Sequence, residues 1–258
     1  MSDILIERSD EITWLRLNRP ERRNAYDAAM AQELTAAVDD AIGSAVIVIT
    51  GSDRAFCAGG YLANLADPDE FEIRAMFAAS MRLFDAIRRS PRPVIAAVNG
   101  AAAGGGNELV VACDLAVAAQ SATFGQTGPR VGSAPVLGGT NMLAMSVGEK
   151  RAKEISMLCR RYDAATALEL GMVNEVVPDD RLEEATNAMA QELLAMSPRY
   201  LEIAKVSSNV WWNQAHDSFQ SGLGMLAQAI GSEDMIEGAT AFIEKRKPQF
   251  RRPEARTP

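Results

Sequence analysis

The segment Val94–Val98 carries five apolar residues without a polar interruption, ends in Asn99-Gly100, and leads into three consecutive glycines, Gly104, Gly105 and Gly106. A short apolar run bounded by turn residues predicts a strand buried on both faces, as in a parallel sheet. Residues 108–113 then read as helix and 115–118 as another short strand. Residues 45–50, closed by Gly51-Ser52, repeat the arrangement ahead of Phe56-Cys57-Ala58-Gly59-Gly60. Strand, glycine turn, helix and strand in succession make the fold class α/β.

The flanking segments fit that class. Residues 4–17 form two β-rich stretches split by Ser9-Asp10, which predicts a hairpin, and 18–23 follow as a polar loop. Met30, Leu34, Ala37, Val38 and Ala41 fall at helical spacing behind Asp27, a suitable N-cap. A longer helix spans about 69–89, with Phe77, Met81, Phe84 and Ile87 on one face, and Pro91 and Pro93 end it. Beyond Lys150 the pattern is mostly helical, apart from a strand candidate at 173–177. From about Ser197 the apolar residues Trp211, Trp212, Phe219, Leu223 and Leu226 are expected to be exposed. That divides the chain into a core, 1–195, and a helical oligomerisation arm, 196–258, whose last eight residues form a tail.

A chain of 258 residues can bury a large core without metals or disulfides. The net charge of -8 argues against nucleic-acid binding, which needs clustered basic surface, so an anionic ligand requires a local basic patch. Cys57, Cys113 and Cys159 are too far apart for a paired metal motif, and an odd count speaks against a disulfide framework, so a reducing cytoplasm is expected. The start lacks the pattern of a secretory signal, and no apolar run approaches the ~18 residues of a membrane span. No membrane association and no metal site are expected.

Three glycines let the backbone approach a ligand closely, and the helix start behind them leaves N–H donors and partial positive charge directed outward. Such a turn can stabilise a developing oxyanion, or it can serve tight packing alone. The spacing is neither Gly-x-Gly-x-x-Gly nor a Gly-Lys-Ser/Thr phosphate loop, which removes dinucleotide and nucleotide cofactors. The second strand-end turn, at Phe56-Cys57-Ala58-Gly59-Gly60-Tyr61, can offer another N–H, and two such turns are enough for a two-donor hole.

At this point the residues carry a resemblance. Asn18-Arg19-Pro20 with Arg23-Asn24-Ala25, Ala55-Phe56-Cys57-Ala58-Gly59-Gly60, Pro93-Val94-Ile95-Ala96-Ala97-Val98-Asn99-Gly100, the glycine run with Glu108-Leu109 and Cys113-Asp114, and Ala122-Thr123-Phe124-Gly125 occur in order. The chain resembles the crotonase, or enoyl-CoA hydratase/isomerase, superfamily over nearly its whole length. The resemblance implies a spiral of ββα units with a C-terminal helical trimerisation region, assembled as trimers or dimers of trimers. It implies an acyl-CoA thioester substrate whose carbonyl oxygen is held by the N–H groups of Gly60 and Gly105. It also assigns Arg22, Arg23, Ala25, Ala58, Phe242 and Lys245 to coenzyme A or substrate contacts, with coenzyme A as part of the substrate and no separate cofactor.

In the hydratases of this family two glutamates flank the substrate. Glu108 matches the first, and the second falls at Gly128. On a solvated helix Glu108 would instead be only a first-turn dipole partner. Gln126-Thr127-Gly128-Pro129-Arg130-Val131-Gly132-Ser133, with 154–164 and 244–250, resembles the 1,4-dihydroxy-2-naphthoyl-CoA synthases and the 2-ketocyclohexanecarboxyl-CoA hydrolases. Ser133 lies at one of their functional positions, and Gln126 with Gly128 is similar to the place where some of the synthases hold bicarbonate. Pro135, Ile230 and Ser156 depart from that subfamily's catalytic set, as does Glu108 itself. Tyr61 stands where many members carry aspartate; it can hydrogen-bond an acyl group or simply pack. His216, the single histidine, lies far along the chain in the arm, which speaks against a Ser-His-Asp hydrolase.

Three functions follow as expectations. The first is an acyl-CoA lyase of enoyl-CoA hydratase type with Glu108 as acid/base. The second is a β-ketoacyl-CoA carbon–carbon bond hydrolase or cyclase, and the third a catalytically weak acyl-CoA-binding protein.

Overall fold

The computed structural model describes residues 2–9, 11–61 and 63–251. The expected hairpin forms, with β1 (Ile4–Ser9) antiparallel to β2 (Ile12–Leu17); Asp10 of its turn, like most of the expected C-terminal tail, lies outside the described residues. Helix α1 (Ala28–Asp40) opens on Asp27, whose carboxylate accepts the N–H of Met30. Strand β3 (Val46–Gly51) is buried along its whole length, then β4 (Ala55–Cys57) and the single turn α2 (Ala63–Ala66) lead to α3 (Glu70–Arg89), capped by Asp69. Strand β5 (Val94–Val98) follows, then β6 (Ala101–Ala103), α4 (Gly105–Ala112), β7 (Leu115–Ala119) and β8 (Thr123–Gly125). The rest comprises α5 (Leu143–Val147), α6 (Glu149–Leu158), β9 (Tyr162–Asp163), α7 (Ala164–Glu169) and β10 (Glu175–Val177), then α8 (Leu182–Leu194), α9 (Pro198–Ser208), α10 (Val210–Gln228) and α11 (Glu233–Ile243).

Two sheets result. The larger has the order β1-β2-β3-β5-β7-β10, parallel except for the hairpin; the smaller has the order β4-β6-β8-β9, parallel except at its last pair. The pairs β3/β4, β5/β6 and β7/β8 each place one strand in each sheet, so the chain advances as a spiral of ββα turns. Tyr26, in the turn before these, makes a parallel bridge to Gly60 and so continues the smaller sheet beside β4.

Three expectations are corrected. The helix behind the glycine run begins at Gly105, not Glu108, because Gly105 to Asn107 already have helical backbone and Glu108 N–H closes on Gly104 O at 3.0 Å. Residues Ala101–Ala103, read as part of the turn, form a strand paired to β4 and β8. Trp212, Phe219 and Leu226 are not exposed: Trp212 is 1 % accessible, and it and Phe219 join the main core with ring centroids 4.8 Å apart. The face of α10 that bears them packs on its own chain, with Trp212 Nε1 donating to Asp85 at 2.9 Å, while Trp211 stays exposed.

A buried ion pair also ties the arm to the core. Lys205 Nζ lies 2.7 Å from Asp114 Oδ2 and donates to the carbonyls of Ile87 and Arg92, both at 2.8 Å. Burial holds the Lys205 ammonium below its ordinary pKa, and Asp114 opposes that effect. Among the described residues no helix is long and apolar enough to cross a membrane.

Candidate active site

The two glycine turns meet at the ends of β4 and β6. Asn24, fully buried, holds the first in place by donating from Nδ2 to Ala55 O (2.8 Å) and Ser52 O (3.0 Å). The chain from Arg23 to Tyr26 then runs alongside 58–61: Ala58 N–H bonds Arg23 O, Tyr26 N–H bonds Gly59 O, and Tyr61 N–H bonds Tyr26 O, at 2.9–3.0 Å. Gly59 N–H turns to Cys57 Sγ at 3.4 Å. The N–H of Gly60 is thereby left without an acceptor among the described residues. Gly105 N–H, first in its helix, is likewise without one, as the geometry of a helix N-terminus requires.

Close approach explains the glycines. A Cβ on Gly106 would stand 2.0 Å from Cys57 O, so only glycine lets α4 press against β4. The two donor turns touch through Gly59, where a Cβ would lie 2.8 Å from Gly105 N. Gly60 and Gly105 line one cavity together with Tyr26, Ala58, Glu108 and Gln126, and this arrangement can bind a carbonyl oxygen and stabilise it as it gains charge.

Among the described residues, Glu108 is the only acidic one lining that cavity. It is 6 % accessible, which excludes the solvated-helix alternative, and its Oε1 accepts the N–H groups of Leu137 (2.8 Å) and Gly139 (3.0 Å). Both bonds fall on one oxygen, which leaves Oε2 for a ligand. Burial raises the carboxyl from 4.5 to about 7, partly opposed by the same two N–H donors. A carboxyl with that pKa can both take and give a proton near neutrality.

Gly128 and Ser133 line the same cavity, but there is no room for a side chain at 128. A Cβ there would meet Ala134 Cα at 2.8 Å and Ser133 O at 2.9 Å, so the backbone of 133–134 fills the space a side chain would need. Gln126 also lines the cavity; it is 1 % accessible, and neither amide atom has a hydrogen-bond partner among the described residues. Its amide lies against Gly139, where a Cβ would be 2.5 Å from Nε2, and so beside the loop that holds Glu108.

The other expected contacts lie away from the reacting groups. Arg22 and Arg23 are exposed, and Arg22 stacks over the Tyr61 ring at 4.2 Å, so Tyr61 packs with the arginine and is outside the Glu108 cavity. Ala25 is buried next to Asn24; Phe242 and Lys245 are exposed at the end of α11 and do not line the cavity. Cys57, Cys113 and Cys159 are buried free thiols, and burial pushes Cys57 up to about 12. His216 approaches Asp85 at 3.5 Å and does not line the cavity of the glycine turns.

Tyr26 was not singled out by the sequence. It lines the cavity, and its phenol oxygen would be 2.3 Å from a Cβ on Gly105. The signal was present in Asn24-Ala25-Tyr26, but the residue it touches lies two spiral turns onward, beyond the reach of local pattern.

Comparison with known proteins bears on the family and the fold. The model of the enoyl-CoA hydratase/isomerase family matches residues 7–253. An enoyl-CoA hydratase from Mycobacterium avium subsp. paratuberculosis K-10 superposes with a TM-score of 0.88 at 28 % identity, over 97 % of this chain and 99 % of that one. An enoyl-CoA hydratase from Bacillus anthracis is 33 % identical with a TM-score of 0.78, over 96 % and 98 % of the two chains. A carnitinyl-CoA hydratase from Mycobacterium avium is 29 % identical with a TM-score of 0.84, over 97 % and 98 %.

Proposed function

This chain belongs to the enoyl-CoA hydratase/isomerase family and is an enzyme of that family, and from that premise we propose that it adds water across the double bond of a 2-enoyl-CoA thioester. The observation that carries the proposal is Glu108: among the described residues it is the one acid lining the cavity that Gly60 and Gly105 also line, and burial raises its pKa to about 7. In this account the N–H groups of Gly60 and Gly105 take the thioester oxygen. Glu108 Oε2 removes a proton from water as the water oxygen adds to the β-carbon, and the double-bond electrons move onto the thioester as an enolate. The same carboxyl then returns its proton to the α-carbon, so one water is added and the enzyme is restored.

Other parts of the proposal concern binding. Arg22 and Arg23 flank the rim through the Arg23–Ala58 backbone bond, which supports a role on the phosphates of coenzyme A, with Phe242 and Lys245 as further contacts. Ala25 and Ala58 allow close approach to the rim, and Tyr61 acts by stacking Arg22. No cofactor besides the coenzyme A of the substrate is proposed. Exposed Met196, Tyr200, Ile203, Val206 and Trp211 support a homotrimer or dimer of trimers built through the helices from 196 onward, and buried free thiols support a cytoplasmic location.

One observation favours a second reaction, carbon–carbon bond hydrolysis or cyclisation of a β-ketoacyl-CoA. The unpartnered amide of Gln126 beside Gly128 and Ser133 supports a polar or anionic group there, bicarbonate included. Pro135 and Ile230 stand where that chemistry places an aspartate and a tyrosine.

The test is hydration of crotonyl-CoA by wild type and by Glu108→Gln. We expect wild-type turnover and a loss of roughly 10²-fold or more in the variant, with thioester binding kept. Equal turnover by the two removes Glu108 from the mechanism, and a binding-only wild type supports an acyl-CoA-binding protein instead.

A further inference from the structure

Among the described residues one carboxyl lines the cavity, and at Gly128, where the family resemblance puts a second, backbone leaves no room for a side chain. Another polar group does reach the reacting region. Tyr26 is clamped by its own backbone to both sides of Gly60, through Gly59 O and Tyr61 N–H, while its phenol oxygen fills the space of a side chain on Gly105. Residues three apart on a helix share a face, so that space lies one turn from Glu108 on the same face of α4. Gly60, Gly105, Glu108 and Tyr26 border one cavity.

We infer that the Tyr26 hydroxyl is a third hydrogen-bond donor to the thioester oxygen, acting with the N–H groups of Gly60 and Gly105 as the enolate forms. The inference rests on the thioester reading and deepens it. A polar neighbour of the phenol is Ser80, whose own hydroxyl donates to Met76 O at 2.8 Å and so can only accept from a further partner. A hydroxyl rotates freely about its C–O bond, and an oxygen gaining negative charge is a stronger acceptor than a neutral serine. The contact therefore strengthens as the reaction proceeds, which is the condition for acceleration rather than tighter substrate binding alone. Burial, with Cys57 and Glu108 nearby, raises the phenol above its ordinary pKa, so it remains a protonated donor throughout the working range. No proton is transferred; the phenol keeps its hydrogen.

Tyr26→Phe keeps the ring and removes only the hydroxyl, and two probes read its effect. With crotonyl-CoA we expect kcat to fall roughly 10- to 10³-fold and KM to change little, the pattern of a lost transition-state contact. With acetoacetyl-CoA, whose bound enolate absorbs in the ultraviolet, we expect binding with a much weaker enolate band than in wild type. A purely structural tyrosine would lower melting temperature without moving the band. An active wild type matched by Tyr26→Phe in kcat and in enolate absorbance overturns this inference alone. A wild type inert toward both compounds overturns the thioester reading, and this inference with it.

Discussion

Glu108 Oε1 accepts the backbone N–H of Leu137 at 2.8 Å, so the carboxyl of a helix first turn is fixed by the loop that closes over it. Gly139 adds a second N–H to the same oxygen, but burial outweighs both and leaves the group near pH 7.

The pH dependence follows from that value. A base must be ionised, so kcat/KM for hydration should rise with pH through an apparent pKa of about 7. Stability runs the other way. Because the folded pKa is raised from 4.5, the protonated carboxyl's contribution is complete below about 4.5 and is lost as pH rises through 7, a difference of roughly 3 kcal/mol. Glu108→Gln cannot ionise, so its melting temperature should gain on wild type between pH 5 and 8 by roughly 5–10 °C. A constant offset between the two across that interval would contradict the burial argument.

Gly105→Ala should be destabilising because its Cβ would collide with the Tyr26 oxygen, at a cost of roughly 1–3 kcal/mol. In Tyr26→Phe the nearest remaining atom is the ring carbon at 3.1 Å, so the same alanine should cost less. Denaturant titrations of the two single variants and the double variant measure this coupling, expected at about 1 kcal/mol or more. Strict additivity would mean that the phenol does not sit on Gly105.

A carboxylate placed at 128 should not improve the enzyme. Gly128→Glu drives its Cβ into the backbone of 133–134, at 2.8–2.9 Å, and should lower stability by more than about 1 kcal/mol without raising crotonyl-CoA hydration. Enhanced turnover in a stable variant would show that the missing glutamate alone limits this site.

Much of the fold was legible in the chain. The short apolar runs of β3 and β5, bounded by turn residues, predict strands that form, and Asp27 and Asp69 cap the helices the apolar spacing predicts. Strands of three residues such as Ala101–Ala103 carry too little pattern to separate strand from turn, and their pairing is decided by partners distant in sequence. The same limit hid the fate of Trp212 and Phe219, since helical spacing shows that a face is apolar but not whether it meets its own chain or another. Within the site, the two strand-end glycine turns and the helix start were legible in the chain, while the choice of Gly60, Gly105 and Glu108 among their residues came from the family resemblance. Tyr26, and the backbone that closes position 128, depend on contacts between spiral turns.

The arm should depend on its buried ion pair. Lys205→Met leaves Asp114 and the carbonyls of Ile87 and Arg92 without their shared cation, and should cost roughly 3 kcal/mol or more in chemical denaturation. A change within about 0.5 kcal/mol would place the attachment of α9 in its apolar contacts instead.

Hydration itself is tested most directly by incubating the wild-type protein with a mixed acyl-CoA library and following each mass with fragmentation. The account predicts that enoyl-CoA thioesters gain one water as β-hydroxyacyl-CoA products with their carbon chains intact, a conversion that Glu108→Gln largely loses. A library in which only β-ketoacyl thioesters change, by cleavage or ring opening or closure, would contradict it.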